Sequence, residues 1–361
     1  MLDTNKPKHV ALYNWIKEKI EDGTFKNGEK LISENTLCEK FGISRQTVRH
    51  AIGRLEQEGL VERQRGSGTY VKNISHSPKE KTMTIGVITT YLDDYIFPSI
   101  INGIEGILTE KGYSISLGLT RNKVENERNL LQSFLDKGID GLIVEGTKSA
   151  LPNPNLEIYK AFYKRGIPVI FINGYYAQLC PSYVVVDDVL GGKMATDYLI
   201  KYGHKKLTGI FKYDDIQGHR RYQGFQQSIY EAGIKICEED LMWFATDDSK
   251  IFDDHYQAET LNRLKGVTGV VCYNDEIAVK LIKLLESHLI NVPEDISVVS
   301  FDDSNLAAMS NVGLTTVAHP GKNLGKIAAK ELLKIINKEQ IKSEKIIKSK
   351  LIVRESVKRV K

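Results

Sequence analysis

Cysteine is scarce and scattered. The chain has four, Cys38, Cys180, Cys237 and Cys272, among 361 residues and with no C-x-x-C pair. That spacing argues against a zinc ribbon or a disulfide framework and leaves the four as small core hydrophobes. No apolar run approaches the ~18 residues of a membrane span. The start, Met1-Leu2-Asp3-Thr4-Asn5-Lys6, lacks the apolar stretch of a secretory signal. The expectation is a soluble, cytoplasmic protein with no membrane partner. A dominant charge sign is missing too: 50 Lys and Arg against 46 Asp and Glu leave +4, so any basic surface must be local. Nucleotide loops are also absent. No G-x-G-x-x-G follows the first strand-like run of the larger domain, and Gly191-Gly192-Lys193-Met194 lacks the spacing and the Ser/Thr of a P-loop. No motif asks for a metal or a cofactor.

What is present starts with a compact α-helical region. His9 to Glu21 places Val10, Leu12, Tyr13, Ile16 and Ile20 at amphipathic spacing, with Gly23 as the stop. Ser33 is an N-cap for a second helix with Glu34 in its first turn, and Gly42 ends it. Ser44 caps a third helix whose Val48, Ile52 and Leu55 face a core. Arg45 and Arg49 form an i, i+4 pair on another face, beside Gln46. Such a pair alone also fits an ordinary solvated face. A helix opening with Arg and Gln nevertheless suits the major groove, where Arg forks onto guanine and Gln onto adenine. Two short strand-like runs then flank Gly66-Ser67-Gly68, with Arg63 and Arg65 beside the tip. A hairpin after a helix-turn-helix is a wing whose glycines let backbone approach phosphate. No helix follows Gly66-x-Gly68, so it is not a nucleotide loop.

Residues 8–72 resemble a GntR-type winged helix-turn-helix. The resemblance is carried by Ser33-Glu34-Asn35-x-Leu37, Phe41-Gly42-Ile43-Ser44-Arg45-x-Thr47-Val48-Arg49, Glu58-Gly59-Leu60 and Gly66-x-Gly68-Thr69-x-Val71. It implies a homodimer on double-stranded operator DNA. It also implies contacts from Glu34, Asn35, Ser44, Arg45, Gln46, Thr47, Arg49, Arg65, Gly66, Ser67 and Gly68. The family commonly has a basic residue at position 35; here it is Asn35. Residues 1–72 carry only +3, so affinity must rest on placement.

Asn73 to Thr82 is polar, contains Pro78, and reads as a tether between the domain at 1–72 and a second at 83–361. From Thr84, strand-like runs alternate with helical patterns such as Pro98–Lys111, Val124–Lys137, Val189–Tyr202, His219–Ala232 and Asp275–His288. The fold class is α/β, with buried parallel strands covered by helices. Polar residues gather at strand ends, where open α/β sheets bind ligands: Glu145, Asn173, Asn274 and Asp302, with Arg221 early in a helix. Carboxylate, amide and guanidinium groups pair with adjacent hydroxyls, and Tyr91, Tyr95 or Phe97 could cover C–H faces. Each residue singly also fits a helix cap or a strand end.

Residues 83–356 resemble the effector domain of the LacI/GalR repressors. The matching stretches are Val186-Asp187-Asp188-x-x-Gly191-Gly192, Arg221-x-x-Gly224-Phe225, Asn274-Asp275-x-x-Ala278 and Val299-x-Phe301-Asp302-Asp303. The resemblance implies two lobes of the periplasmic-binding-protein type, joined by three crossovers around a sugar. Its contacts carry over to Glu145, Asn173, Arg221, Asn274, Asp302 and His319, with His219 as an extra. The family usually has Gly where this chain has Ser300. A GntR-type reader on a LacI-type sensor is similar to the arabinose repressors of Gram-positive bacteria, which implies L-arabinose as the effector. The residues themselves leave open another pentose or hexose, the sign of the ligand effect, a plain sugar-binding protein, and a sugar-acting enzyme using Asp302 or Glu145.

Overall fold

The computed structural model describes residues 7–21, 24–26, 28–64, 66–72, 81–92, 96–246 and 254–360. Gly23, Arg65, Tyr95 and residues 73–80 of the tether lie outside them. The chain divides into two compact units, 1–81 and 82–361.

In the first unit, α1 (Lys8–Glu21), α2 (Glu34–Phe41) and α3 (Arg45–Gln57) precede the antiparallel pair β1 (Val61–Gln64) and β2 (Gly68–Val71). Both serine caps form: the Ser33 hydroxyl accepts from the Thr36 N–H and that of Ser44 from the Thr47 N–H. Gly42 closes α2 at φ 60°, a left-handed turn that suits glycine. Val48, Ala51, Ile52 and Leu55 of α3 are buried with Leu12, Tyr13 and Ile16 of α1. Period 3.6 thus turns one face of α3 inward and leaves Arg45, Gln46 and Arg49 exposed.

The second unit begins with β3 (Thr84–Thr89), α4 (Phe97–Glu110), β4 (Ser114–Leu119), α5 (Val124–Lys137), β5 (Gly141–Glu145), α6 (Leu156–Lys164), β6 (Val169–Ile172) and β7 (Ser182–Val186). It continues through α7 (Asp188–Lys201), β8 (Leu207–Lys212), α8 (Ile216–Glu231), β9 (Met242–Phe244), α9 (Asp254–Arg263), β10 (Gly269–Cys272), α10 (Asp275–Ser287), β11 (Ser297–Asp302), α11 (Asn305–Met309) and β12 (Thr315–Ala318). Then come α12 (Gly321–Ile336), β13 (Glu344–Ile347) and β14 (Leu351–Ile352). One sheet has the order β13-β7-β6-β5-β3-β4, the other β14-β12-β11-β10-β8-β9. Pairing is parallel in both except at the edge, where β14 runs antiparallel to β12. The central strands of each sheet are buried on both faces, which explains their near-continuous Val/Ile runs.

The chain passes between the sheets three times: β7 to α7, β12 to α12, and β13 to β14. Near the first crossing, α7 and α8 approach so closely that a Cβ on Gly192 would lie 2.0 Å from the Arg221 carbonyl oxygen. A Cβ on Gly224 would lie 2.0 Å from that of Val189. Gly192→Val should therefore destabilise the second unit by about 1–3 kcal/mol or more, lowering its urea midpoint, with the loss concentrated where Arg221 is held. An unchanged midpoint would show that the two helices separate without cost.

Candidate functional site

On the first unit, the exposed start of α3 is organised by one carboxylate. Glu34 lies 3.1 Å from the Arg49 Nε, 3.6 Å from that of Arg45 and 4.0 Å from an Arg63 nitrogen. Four charges on α2, α3 and β1 thus share one face. At the hairpin, Gly66 and Gly68 adopt φ of 76° and 137°, and the Ser67 hydroxyl is 2.6 Å from that of Tyr70. The Lys30 side chain fills the space beside Gly68. Asn35 is exposed on α2, and the Thr47 hydroxyl lies 2.8 Å from the hydroxyl of its cap, Ser44. Glu34 and Asn35 thus fall at the start of α2, and Ser44, Arg45, Gln46, Thr47 and Arg49 at the cap and start of α3.

In the second unit, a cavity of about 500 Å³ opens between the two lobes, a usual size for a small-molecule site. Thr90, Tyr91, Phe97 and Glu145 line it from the first lobe. Lys212, Asp215, Gln217, Arg221, Asn274 and Asp302 line it from the second, with Phe244 and Tyr273 as aromatic walls.

Arg221 is its fixed point. Its Nε donates to Asp188 at 2.9 Å and its Nη1 to the Tyr273 carbonyl at 2.6 Å, while its Nη2 lies 3.5 Å from an Asp302 oxygen. The guanidinium stacks on the Tyr273 and Phe301 rings, 4.9 and 4.4 Å from their centroids. Burial alone would push this cation down, but Asp188 and Asp302 outweigh it and hold it charged. Asp188 is itself raised to about 6 by burial, against the pull of Arg221.

Across the cavity, Glu145 accepts from the Thr90 N–H at 3.0 Å, the Thr90 hydroxyl at 2.6 Å and the Asn173 amide at 2.9 Å. Burial pushes its pKa up to about 7, against those hydrogen bonds, and Asp215 adds to the rise. The folded chain therefore binds more protons here than the unfolded chain between about pH 4.5 and 7, so stability falls as pH rises through that window. Asp188 and Asp275, both raised to about 6, act in the same direction. Glu145→Gln should flatten this slope and recover roughly 3 kcal/mol at pH 8. Melting curves at pH 5 and 8 for both proteins check it; parallel slopes would remove Glu145 as the source.

Two of the strand-end residues have strained backbone: Asn173 at φ 61° and Asp302 at φ 104°. Asn274 caps α10, accepting from the Ile277 N–H at 2.9 Å. Ser300 donates to buried Asp275, a contact glycine cannot make.

The structure gathers Tyr91, Phe97, Glu145, Arg221, Asn274 and Asp302 at the cavity and moves three residues away from it. His219 is exposed, packs beside Trp243 and lies 2.7 Å from the Tyr213 carbonyl. It is two residues from Arg221, about 200° around the helix, so the two cannot share a face. Asn173 sits behind Glu145, and His319 Nε2 is 3.2 Å from the Asn173 amide oxygen. Lys212, Asp215 and Gln217 were missed. Asp215 had a readable signal, since it caps α8 by accepting from the Gln217 N–H, three residues earlier than expected from the helical pattern. Among the described residues no cluster could hold a metal ion and no helix is long and apolar enough to cross a membrane.

Comparison with known proteins adds to this geometry. Residues 9–71 match the model of the gntR family of bacterial regulatory proteins, and residues 196–357 match a periplasmic binding protein-like domain. The arabinose metabolism transcriptional repressor of Halalkalibacterium halodurans is 40% identical over 92% of this chain and 90% of its own. That of Geobacillus stearothermophilus is 37% identical over the full length of both. Among solved structures, a LacI family transcriptional regulator from Enterococcus faecium with bound ribose is 27% identical, with a TM-score of 0.66 over 77% of this chain and 100% of its own.

Proposed function

The chain belongs to the family of GntR-headed arabinose metabolism repressors, and from that premise we propose that it is a homodimer released from operator DNA by L-arabinose. It is a DNA-binding transcriptional repressor with a sugar-binding type of effector domain, a regulator rather than an enzyme. The observation that carries the ligand reading is the inter-lobe cavity, with Arg221 clamped by two carboxylates on one side and Glu145 facing it from the other. Adjacent sugar hydroxyls can accept from the guanidinium and donate to Glu145 and Asp302, while Tyr91, Phe97 and Phe244 cover apolar ring faces.

The reading places the protein in the cytoplasm, with the start of α3 in the major groove and the wing glycines on phosphate. Sugar binding draws the two lobes together, which alters the surface on which two copies pair and so the presentation of their reading helices. Weakening the operator complex ~100-fold requires about 2.7 kcal/mol of coupling. Linkage demands that operator DNA weaken sugar binding by the same factor.

Calorimetric titration of pentoses and hexoses into the full chain, with and without a duplex operator selected in vitro, tests this. L-Arabinose should bind most tightly, and its affinity should drop when operator is saturating. Sugar affinity indifferent to operator would sink the inducer model, and tighter binding of another sugar would reassign the effector.

A further inference from the structure

Behind Arg221 lies a second, much smaller cavity, with about 10 Å³ open to the centre of a water molecule. Asp188, His319 and Ser349 all line it. Asp188 sits at the crossing from β7 to α7, His319 at that from β12 to α12, and Ser349 at that from β13 to β14. The hinge between the lobes therefore contributes one polar side chain from each of its three strands. Each of those side chains has a buried atom without a hydrogen-bond partner: Asp188 Oδ2, His319 Nδ1 and Ser349 Oγ. Asp188 is only 2% exposed. Unsatisfied buried polar atoms are costly, and three around one void of this size are what a buried water satisfies.

The hydrogen-bond polarity is fixed from the neighbours. The Asn173 amide nitrogen donates to Glu145, so its oxygen faces His319, whose Nε2 must donate. Burial and the nearby Arg221 hold the His319 pKa down at about 3, so the ring is neutral and Nδ1 is a bare acceptor. Asp188 Oδ1 is taken by Arg221, and Oδ2 is an acceptor too. Ser349 can donate.

We propose that this cavity is a binding site for one water molecule, which donates to His319 Nδ1 and Asp188 Oδ2 and accepts from the Ser349 hydroxyl. With it in place, an unbroken relay runs from Glu145 through Asn173, His319, the water and Asp188 to Arg221. The two groups that face the cavity from opposite lobes are then joined through the hinge itself. The water supplies the connection among the three crossings without a covalent link, so it can follow small lobe movements. His319 becomes a positioning residue, acting on Glu145 through Asn173. The relay rests on the effector reading of the cavity; the water site does not.

Crystal structures of the full chain and of two variants decide both. Wild type should show one density peak at about 2.6–3.2 Å from all three atoms. No peak, or a peak with ligands at metal-like distances shorter than about 2.5 Å, overturns the water site. Ser349→Val should lose the peak and weaken L-arabinose binding by about 3- to 10-fold, whereas Ser349→Thr keeps the hydroxyl and should keep both. Unchanged affinity in a Ser349→Val protein that has lost the peak overturns the relay; if that variant does not fold, Ser349→Ala takes its place in the same comparison. Wild-type protein that binds no sugar would undo the effector reading and the relay with it, and the density would still decide the water.

Discussion

Arg221→Ala is expected to abolish the sugar response and to cost about 3–5 kcal/mol of stability in the second unit. The residue is 3% exposed and its guanidinium sits between Asp188 and Asp302, so truncation leaves two buried carboxylates without their cation. Asp188 is already raised to about 6 with the guanidinium present, and without it the carboxyl moves further up. The stability loss should therefore be greatest above neutral pH and shrink as pH falls toward 5, where Asp188 takes a proton. Sugar affinity should fall below detection, because the guanidinium supplies paired donors from a fixed plane. Arg221→Lys separates the two effects. It keeps a charge between the carboxylates and so much of the stability, but it loses the fork and the stacking on Tyr273 and Phe301. Urea unfolding at pH 5 and 8 and calorimetry with L-arabinose read both. A folded Arg221→Ala protein with wild-type sugar affinity would remove Arg221 from the site.

The contrast between Arg221 and its neighbours shows which features a sequence makes legible. Caps and stops are local, so Ser33, Gly42 and Ser44 stand where the residue pattern places them. The alternation of buried strands and helices likewise gave the α/β class, while short local motifs carried both resemblances. Pairings across the fold are another matter. Asp188 and Arg221 are 33 residues apart, and their ion pair depends on Gly192 and Gly224 letting two helix backbones nearly touch. No periodicity reports that. Proximity in sequence misleads in the other direction: His219 is two residues from Arg221 yet faces Trp243 and the Tyr213 carbonyl. Strand ends led to Glu145 and Asp302, which line the cavity. They could not tell a residue that faces the cavity from one that orients it, and Asn173 and His319 sit one layer back.

The double variant Arg45→Ala/Arg49→Ala is expected to remove operator discrimination while leaving the fold and sugar affinity intact. Both side chains are more than 60% exposed, and their ion pairs with Glu34 cross water-accessible surface. Such pairs contribute little to stability, so the first unit should unfold near its wild-type midpoint. Their proposed value lies in the groove. Each arginine forked onto a guanine is worth about 1–3 kcal/mol of discrimination, so the pair should cost roughly 2–6 kcal/mol, on the order of 30- to 10⁴-fold. Glu34 matters to this arithmetic. Its carboxylate touches Arg45, Arg49 and Arg63, holding their heads in place and cancelling part of their charge. Glu34→Gln should therefore act in the opposite sense to the double variant on non-specific DNA, raising affinity and steepening its salt dependence as the arginines turn to phosphate. Fluorescence anisotropy with the selected operator and a scrambled duplex, at two salt concentrations, measures all three proteins. A double variant that still prefers operator by the wild-type ratio would move base reading off α3. One that loses sugar binding as well would mean that reading and sensing are not divided between the two units.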